Sequence, residues 1–245
     1  RLTHWTLPPG WSMTLDERMG TASPFPTGDP VFYRESIHPS GVSSNSKGDV
    51  TSSLLAVDGL AAEPTSRDPY FLGRLAEPHV MELAFDDALT DMAGEPVLVL
   101  DGWVEYPYSQ TCFAAWQAGA TYDPPTIESR VGDGSWRMVV EKVGYPAGMP
   151  RQMSIPLGDL PPGTDQLRIS TNLEIYWDQA MVVGSEPCME AYATNLPLSH
   201  AKLFQPGFPV RRNGSQQRPG FDWNERVPLW DTRHQRGYHT RMGEV

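Results

Sequence analysis

Apolar and polar residues alternate most regularly in LRISTNLEIYWDQ, from Leu167 to Gln179. Leu167, Ile169, Thr171, Leu173, Ile175 and Trp177 hold every second position, and Arg168, Ser170, Asn172, Glu174, Tyr176 and Asp178 fill the places between. A period of two predicts a β-strand with one row in the core and the other on a solvated face. Similar texture runs through HVMELAF (79–85), PVLVLDGWVEY (96–106), TIESRV (126–131), SWRMVVEKV (135–143) and RQMSIPL (151–157). PVLVLDGWVEY is apolar enough to be a central strand. Gly132-Asp133-Gly134 is a hairpin signal between TIESRV and SWRMVVEKV. TCFAAWQAGA (111–120) allows a short helix, and PPGTD a turn into the alternating stretch. GYPAGMP (144–150) is a proline-bounded loop in which Gly144 and Gly148 supply positive φ angles.

Short alternating strands with turn signals between them predict an all-β chain. The expected form is an antiparallel β-sandwich of jelly-roll, galactose-binding-like type over residues 56–190. The flanks differ. Residues 1–55 are punctuated by Pro8, Pro9, Pro24, Pro26, Pro30 and Pro39 and end in PSGVSSNSKGDVTSS. They predict an irregular N-terminal arm anchored by Trp5, Trp11, Phe25, Phe32 and Tyr33. Residues 191–245 predict an irregular, aromatic- and Arg-rich extension with Phe204, Phe208, Phe221, Trp223 and Trp230. Long structureless segments are uncommon inside compact domains. Segments this aromatic must therefore lie on something, either their own sandwich or another subunit.

Charge narrows the partners. A net charge of −11 argues against nucleic acid, whose phosphates call for a cluster of Lys and Arg. The densest basic stretch, from Arg211 to Arg241, is interleaved with acids and reads as a solvated or partner-facing surface. No apolar run of about 18 residues is present to span a membrane. The chain begins with Arg1 and shows no signal peptide, which suggests a processed mature chain or an excised fragment. Cys112 and Cys188 are compatible with one disulfide outside the cytoplasm or with two buried thiols.

The candidate chemistry is sparse. Along one strand, Glu174 and Asp178 would stand about 13 Å apart, too far for a glycosidase pair at about 5–9.5 Å. Asn172 and Glu174, about 6.6 Å apart on one face, could together meet a sugar hydroxyl, an ion or a partner. Tyr176 could add a ring, although packing is the commoner role for such a residue. The histidines are scattered, and His234 and His239 are spaced for neither a helix nor a strand face. No metal site is therefore expected. Gly-x-Ser-x-Gly, His-Glu-x-x-His and phosphate-loop motifs are lacking.

Several blocks in order resemble a family. DPYFLGRLAEPHVMEL, DGWVEYPYSQTCFAAWQAGA, GYPAGMPRQMSIPL, TNLEIYWDQ, LPLSHAKLFQPGF and GYHTRMGEV look like the C-terminal module of bacterial FG-GAP/VCBS-repeat proteins of the ASPIC/UnbV, cartilage-acidic-protein-like type. The resemblance covers roughly residues 50–245. It implies a secreted or periplasmic setting and a role in adhesion and assembly, and it supplies no catalytic residues. The acidic Asp-x-Asp-x-Asp-Gly loops that bind calcium in the repeats are missing here, so calcium has no motif and no cofactor is expected.

The reading that follows is a non-catalytic, extracytoplasmic interaction module. It would be an accessory or structural subunit that docks onto other protein subunits, with a peripheral place in a membrane-associated respiratory or photosynthetic complex as one host. Asn172, Glu174, Tyr176, Trp223 and Trp230 are the candidate ligand- or partner-binding residues. The alternative is a sandwich that binds a carbohydrate or another small ligand. An enzyme of unrecognised type ranks last, since function resides in sites rather than folds.

Overall fold

The structure, a computed structural model, describes residues 2–21, 25–26, 28–146, 148–214 and 219–229. The first 55 residues hold six short strands: β1 (Leu2–Thr6), β2 (Ser12–Thr14), β3 (Arg18–Met19), β4 (Val31–Ile37), β5 (Gly41–Ser44) and β6 (Gly48–Asp49). Next come β7 (Arg74–Ala84), β8 (Glu95–Val104), the helix α1 (Ser109–Gln117), β9 (Thr126–Arg130) and β10 (Arg137–Val140). After them follow β11 (Tyr145–Pro146), β12 (Arg151–Pro156), β13 (Gln166–Leu173) and β14 (Ile175–Ser185). The last three are β15 (Tyr192–Leu196), β16 (Phe208–Gly214) and β17 (Pro219–Val227). The chain divides into a larger unit, Thr6–Tyr192, and a smaller one formed by residues 1–5 and 193–245.

The larger unit is an all-β antiparallel sandwich. One sheet has six strands in the order β10-β9-β13-β7-β5-β6, and the other has five in the order β12-β8-β14-β4-β2. The alternating rows explain the packing. Leu83, Ile127, Leu167 and Ile169 from the first sheet meet Leu98, Leu100, Met153, Ile155, Trp177 and Val182 from the second in one buried core. Each fully buried side chain of this kind stabilises the fold by about 1.5–3 kcal/mol. Gly184 in β14 is required by close approach: a Cβ there would lie 1.8 Å from the Ala93 carbonyl oxygen. The hairpin between β9 and β10 forms around the Gly-Asp-Gly turn as expected, and Gly144 and Gly148 take φ of 88° and 76°.

The expectation of an irregular arm over residues 1–55 is corrected. Strands β2 and β4 extend the five-stranded sheet, while β5 and β6 extend the six-stranded one. Val97, Val99, Met181 and Val183 form a second apolar cluster with Val31 and Tyr33 packed against it. They belong to the rows of β8 and β14 that face away from the main core. Val31 and Tyr33 of β4 pack on them from the N-terminal segment. That segment pairs with β4 through the edge strand β2 and reaches β12, the strand at the other end of the sheet order, where the Ser154 hydroxyl donates to the Leu15 carbonyl at 3.0 Å and the Glu17 N–H to the Gln152 carbonyl at 2.9 Å.

Among its described residues, the smaller unit contains two two-stranded sheets, β1 with β15 and β16 with β17. Its C-terminal part is therefore not irregular throughout, which corrects the reading of 191–245. None of its described residues is buried. Leu198, Leu203, Phe204, Trp223 and Leu229 are 80%, 101%, 65%, 64% and 77% exposed.

Candidate functional site

The stretch Leu167–Gln179 is two strands, not one. β13 in the six-stranded sheet ends at Leu173, and β14 in the five-stranded sheet begins at Ile175. Glu174 is the crossing point. The apolar row runs on across the break because both strands line the same core.

The second row is not a wet face. Asn172, Glu174, Tyr176 and Asp178 are 6%, 1%, 1% and 3% exposed, which overturns the solvated reading. A buried polar group survives only when bonded, and these are. The Asn172 side-chain carbonyl accepts the Asp123 N–H at 2.6 Å, and its amide donates to the Thr121 carbonyl at 3.1 Å and to the Asp123 carboxylate at 2.6 Å. That side chain fixes the loop after α1.

Glu174 fixes a different loop. Its Oε1 accepts from Arg67 Nε at 2.6 Å and from the Tyr176 hydroxyl at 2.5 Å, while Arg67 Nη2 donates to the same hydroxyl at 3.0 Å. The Tyr176 ring stacks on Trp103 at 5.4 Å with only 6° between the planes. Burial, and then the Glu174 carboxylate, push the Tyr176 phenol well above its ordinary range, so it remains a donor. Burial alone would lower the Arg67 guanidinium, but its bonds to Tyr176 and Glu174 outweigh that and raise it. Asn172 and Glu174 thus do not form an exposed pair. Each is buried and bonded to a different loop of its own chain.

Two further buried polar features were missed in the sequence. His79 on β7 meets the Ser44 hydroxyl at 2.9 Å, and burial lowers its pKa to about 4, so it is a neutral core histidine. Asp101 on β8 stands among acids. Burial, then Asp178 and Glu17, raise its carboxyl to about 6. Asp178 in turn accepts the Gly59 N–H at 2.9 Å. Neither feature has a local signal, because the partners come from distant strands.

The remaining candidates separate. Trp223 lies on β17 of the smaller unit with Phe221 at 6.1 Å and the Arg226 guanidinium 5.5 Å from its ring. Trp230, His234 and His239 lie outside the described residues. Cys112 and Cys188 are both free and half-buried, so the disulfide between them is not formed. Burial pushes the Cys112 thiol up, which favours its protonated form. No family model matches the chain, and no curated protein or solved structure matches it.

Proposed function

We propose that the protein is a non-catalytic interaction module that docks onto another protein subunit through its smaller unit. The observation that carries this reading is the exposure of Leu198, Leu203, Phe204, Trp223 and Leu229 in a unit with no buried residue among those described. Two-stranded sheets are marginal in water unless an apolar face is covered. Burying five such side chains would contribute on the order of 10 kcal/mol before the entropy of association is subtracted. Large aromatic and aliphatic side chains, with Arg226 over the Trp223 ring, are the composition of interface anchors.

The burial of Asn172 and Glu174 and their intramolecular bonds support a scaffold rather than a reaction. The extracytoplasmic setting, periplasmic or secreted, rests on the sequence resemblance, and a membrane-associated respiratory or photosynthetic complex is the host we propose. No helix among the described residues is long and apolar enough to cross a membrane. Affinity capture from native membranes tests the reading. The intact chain is expected to recover a subunit that the Leu203→Asp, Trp223→Asp double variant loses. Equal recovery by both chains, or none by the intact chain, removes the basis of the proposal.

A further inference from the structure

The pairing of β5 with β7 sets Gly41 opposite Ala84 and Ser43 opposite Glu82. Val42 and Leu83, between them in sequence, are buried in the core, so these four residues face outward from the six-stranded sheet. Gly41 and Ala84 are too small to fill the surface, and nothing lies within 4 Å of where a Gly41 side chain would begin. The result is a cleft of about 440 Å³, walled by Glu82, Gln166, Asp49 and Thr51. That volume lies at the small end of ligand sites, which run to about 300–1,000 Å³.

The chemistry of the walls selects among ligands. No Lys or Arg among the described residues lines the cleft, which disfavours anions. The only large apolar side chains among its residues, Val42 and Leu83, are turned into the core, which disfavours apolar ligands. No group of three or more metal-ligating side chains is assembled among the described residues.

Acceptors and hydroxyls remain. Glu82 makes no hydrogen bond or ion pair among the described residues, although Arg168 is its cross-strand neighbour. Arg168 is drawn to the other side, where it pairs with Glu128 at 2.6 Å and lies 4.5 Å from the Trp136 ring centre. Gln166 is held in place by Arg130 and by its own bond to the Gly132 carbonyl at 2.9 Å. Asp49 is turned toward Thr51 by two bonds and kept ionised by them.

We propose that this cleft binds a neutral saccharide, whose hydroxyls donate to the Glu82 and Asp49 carboxylates and exchange hydrogen bonds with the Ser43 hydroxyl. A hydroxyl on an ionised carboxylate is among the stronger hydrogen bonds. The Glu82 carboxylate is left unpaired because Glu128 and Trp136 draw its cross-strand neighbour Arg168 away from it. The site is independent of the smaller unit and of the docking role assigned to that unit.

Isothermal titration of the full chain with the neutral hexasaccharides cellohexaose, laminarihexaose, xylohexaose, mannohexaose and chitohexaose tests the proposal, with hexagalacturonate as the anionic control. At least one neutral sugar is expected to bind and the control not to. Glu82→Gln should weaken that binding about tenfold to a hundredfold. Gly41→Leu, which fills the cleft from its floor, should abolish it, with melting curves showing both variants folded. Glu141→Gln, an acid outside the cleft, should leave it unchanged. No binding by any neutral sugar at millimolar concentration, preferential binding of hexagalacturonate, or binding indifferent to both cleft variants would overturn the assignment.

Discussion

Arg67 and Glu174 form the ion pair on which the crossing between the sheets depends, and removing either partner should cost different amounts. Glu174 is 1% exposed at its side chain, whereas Arg67 is 34% exposed. Arg67→Met takes the guanidinium away from a carboxylate in the interior, which keeps the Tyr176 hydroxyl as a donor. Loss of one partner from a buried pair costs about 3–5 kcal/mol for this reason. Glu174→Gln leaves the guanidinium instead, and a third of that side chain already meets water. It can turn outward, so the cost falls to about 1–3 kcal/mol, the range for one lost charged hydrogen bond. The double variant removes both charges and should be less destabilised than the sum of the two, with a coupling of about 1–3 kcal/mol. Urea unfolding at pH 7, followed by Trp fluorescence, measures all three. The reasoning fails if Arg67→Met costs less than Glu174→Gln, or if the two costs simply add.

Three further outcomes follow from the same chemistry. His79 stays neutral in the fold with a pKa of about 4 against about 6.5 unfolded, so its contribution is present above pH 6.5 and is lost as pH falls toward 4. The loss amounts to about 3 kcal/mol, and His79→Gln should flatten stability over that window in urea titrations. Asp101 behaves in the opposite sense. Its folded pKa is raised to about 6, so the fold holds an extra proton at low pH and loses stability as pH rises from about 4 through 6. Asp101→Asn should therefore raise the melting temperature at pH 7 and leave it nearly unchanged at pH 4. With Cys112 and Cys188 both free, a thiol titration of the denatured, unreduced chain should count two thiols, and a count of zero would contradict the structure.

Much of the sandwich can be read in the sequence wherever a strand carries a buried row. β7, β9, β12 and β13 announce themselves by alternation, β8 by its continuous apolar run, and the Gly132-Asp133-Gly134 turn announces its hairpin. The break at Glu174 is invisible because its neighbours on both sides point into one shared core, so the period of two survives a change of sheet. β2, β5 and β6 were missed because strands of two to four residues at or near an edge, such as Gly41-Val42-Ser43-Ser44, bury too little to imprint a pattern. Arg67 lies 107 residues from Glu174, and no local spacing could join them. The cleft at Gly41 and Ala84 is likewise a product of register between distant strands. Small residues read as unremarkable until the sheet sets them face to face.

The central claim is that the smaller unit gains its cover from a partner. Hydrogen exchange of the chain alone and of the chain within its captured native assembly tests it most directly. In the isolated chain, amides of Tyr192–Leu196 and Phe221–Val227 should exchange orders of magnitude faster than those of β8 and β14, and in the assembly they should become protected. Protection as strong as that of β14 in the isolated monomer, or exchange in the assembly as fast as in the free chain, would contradict the account.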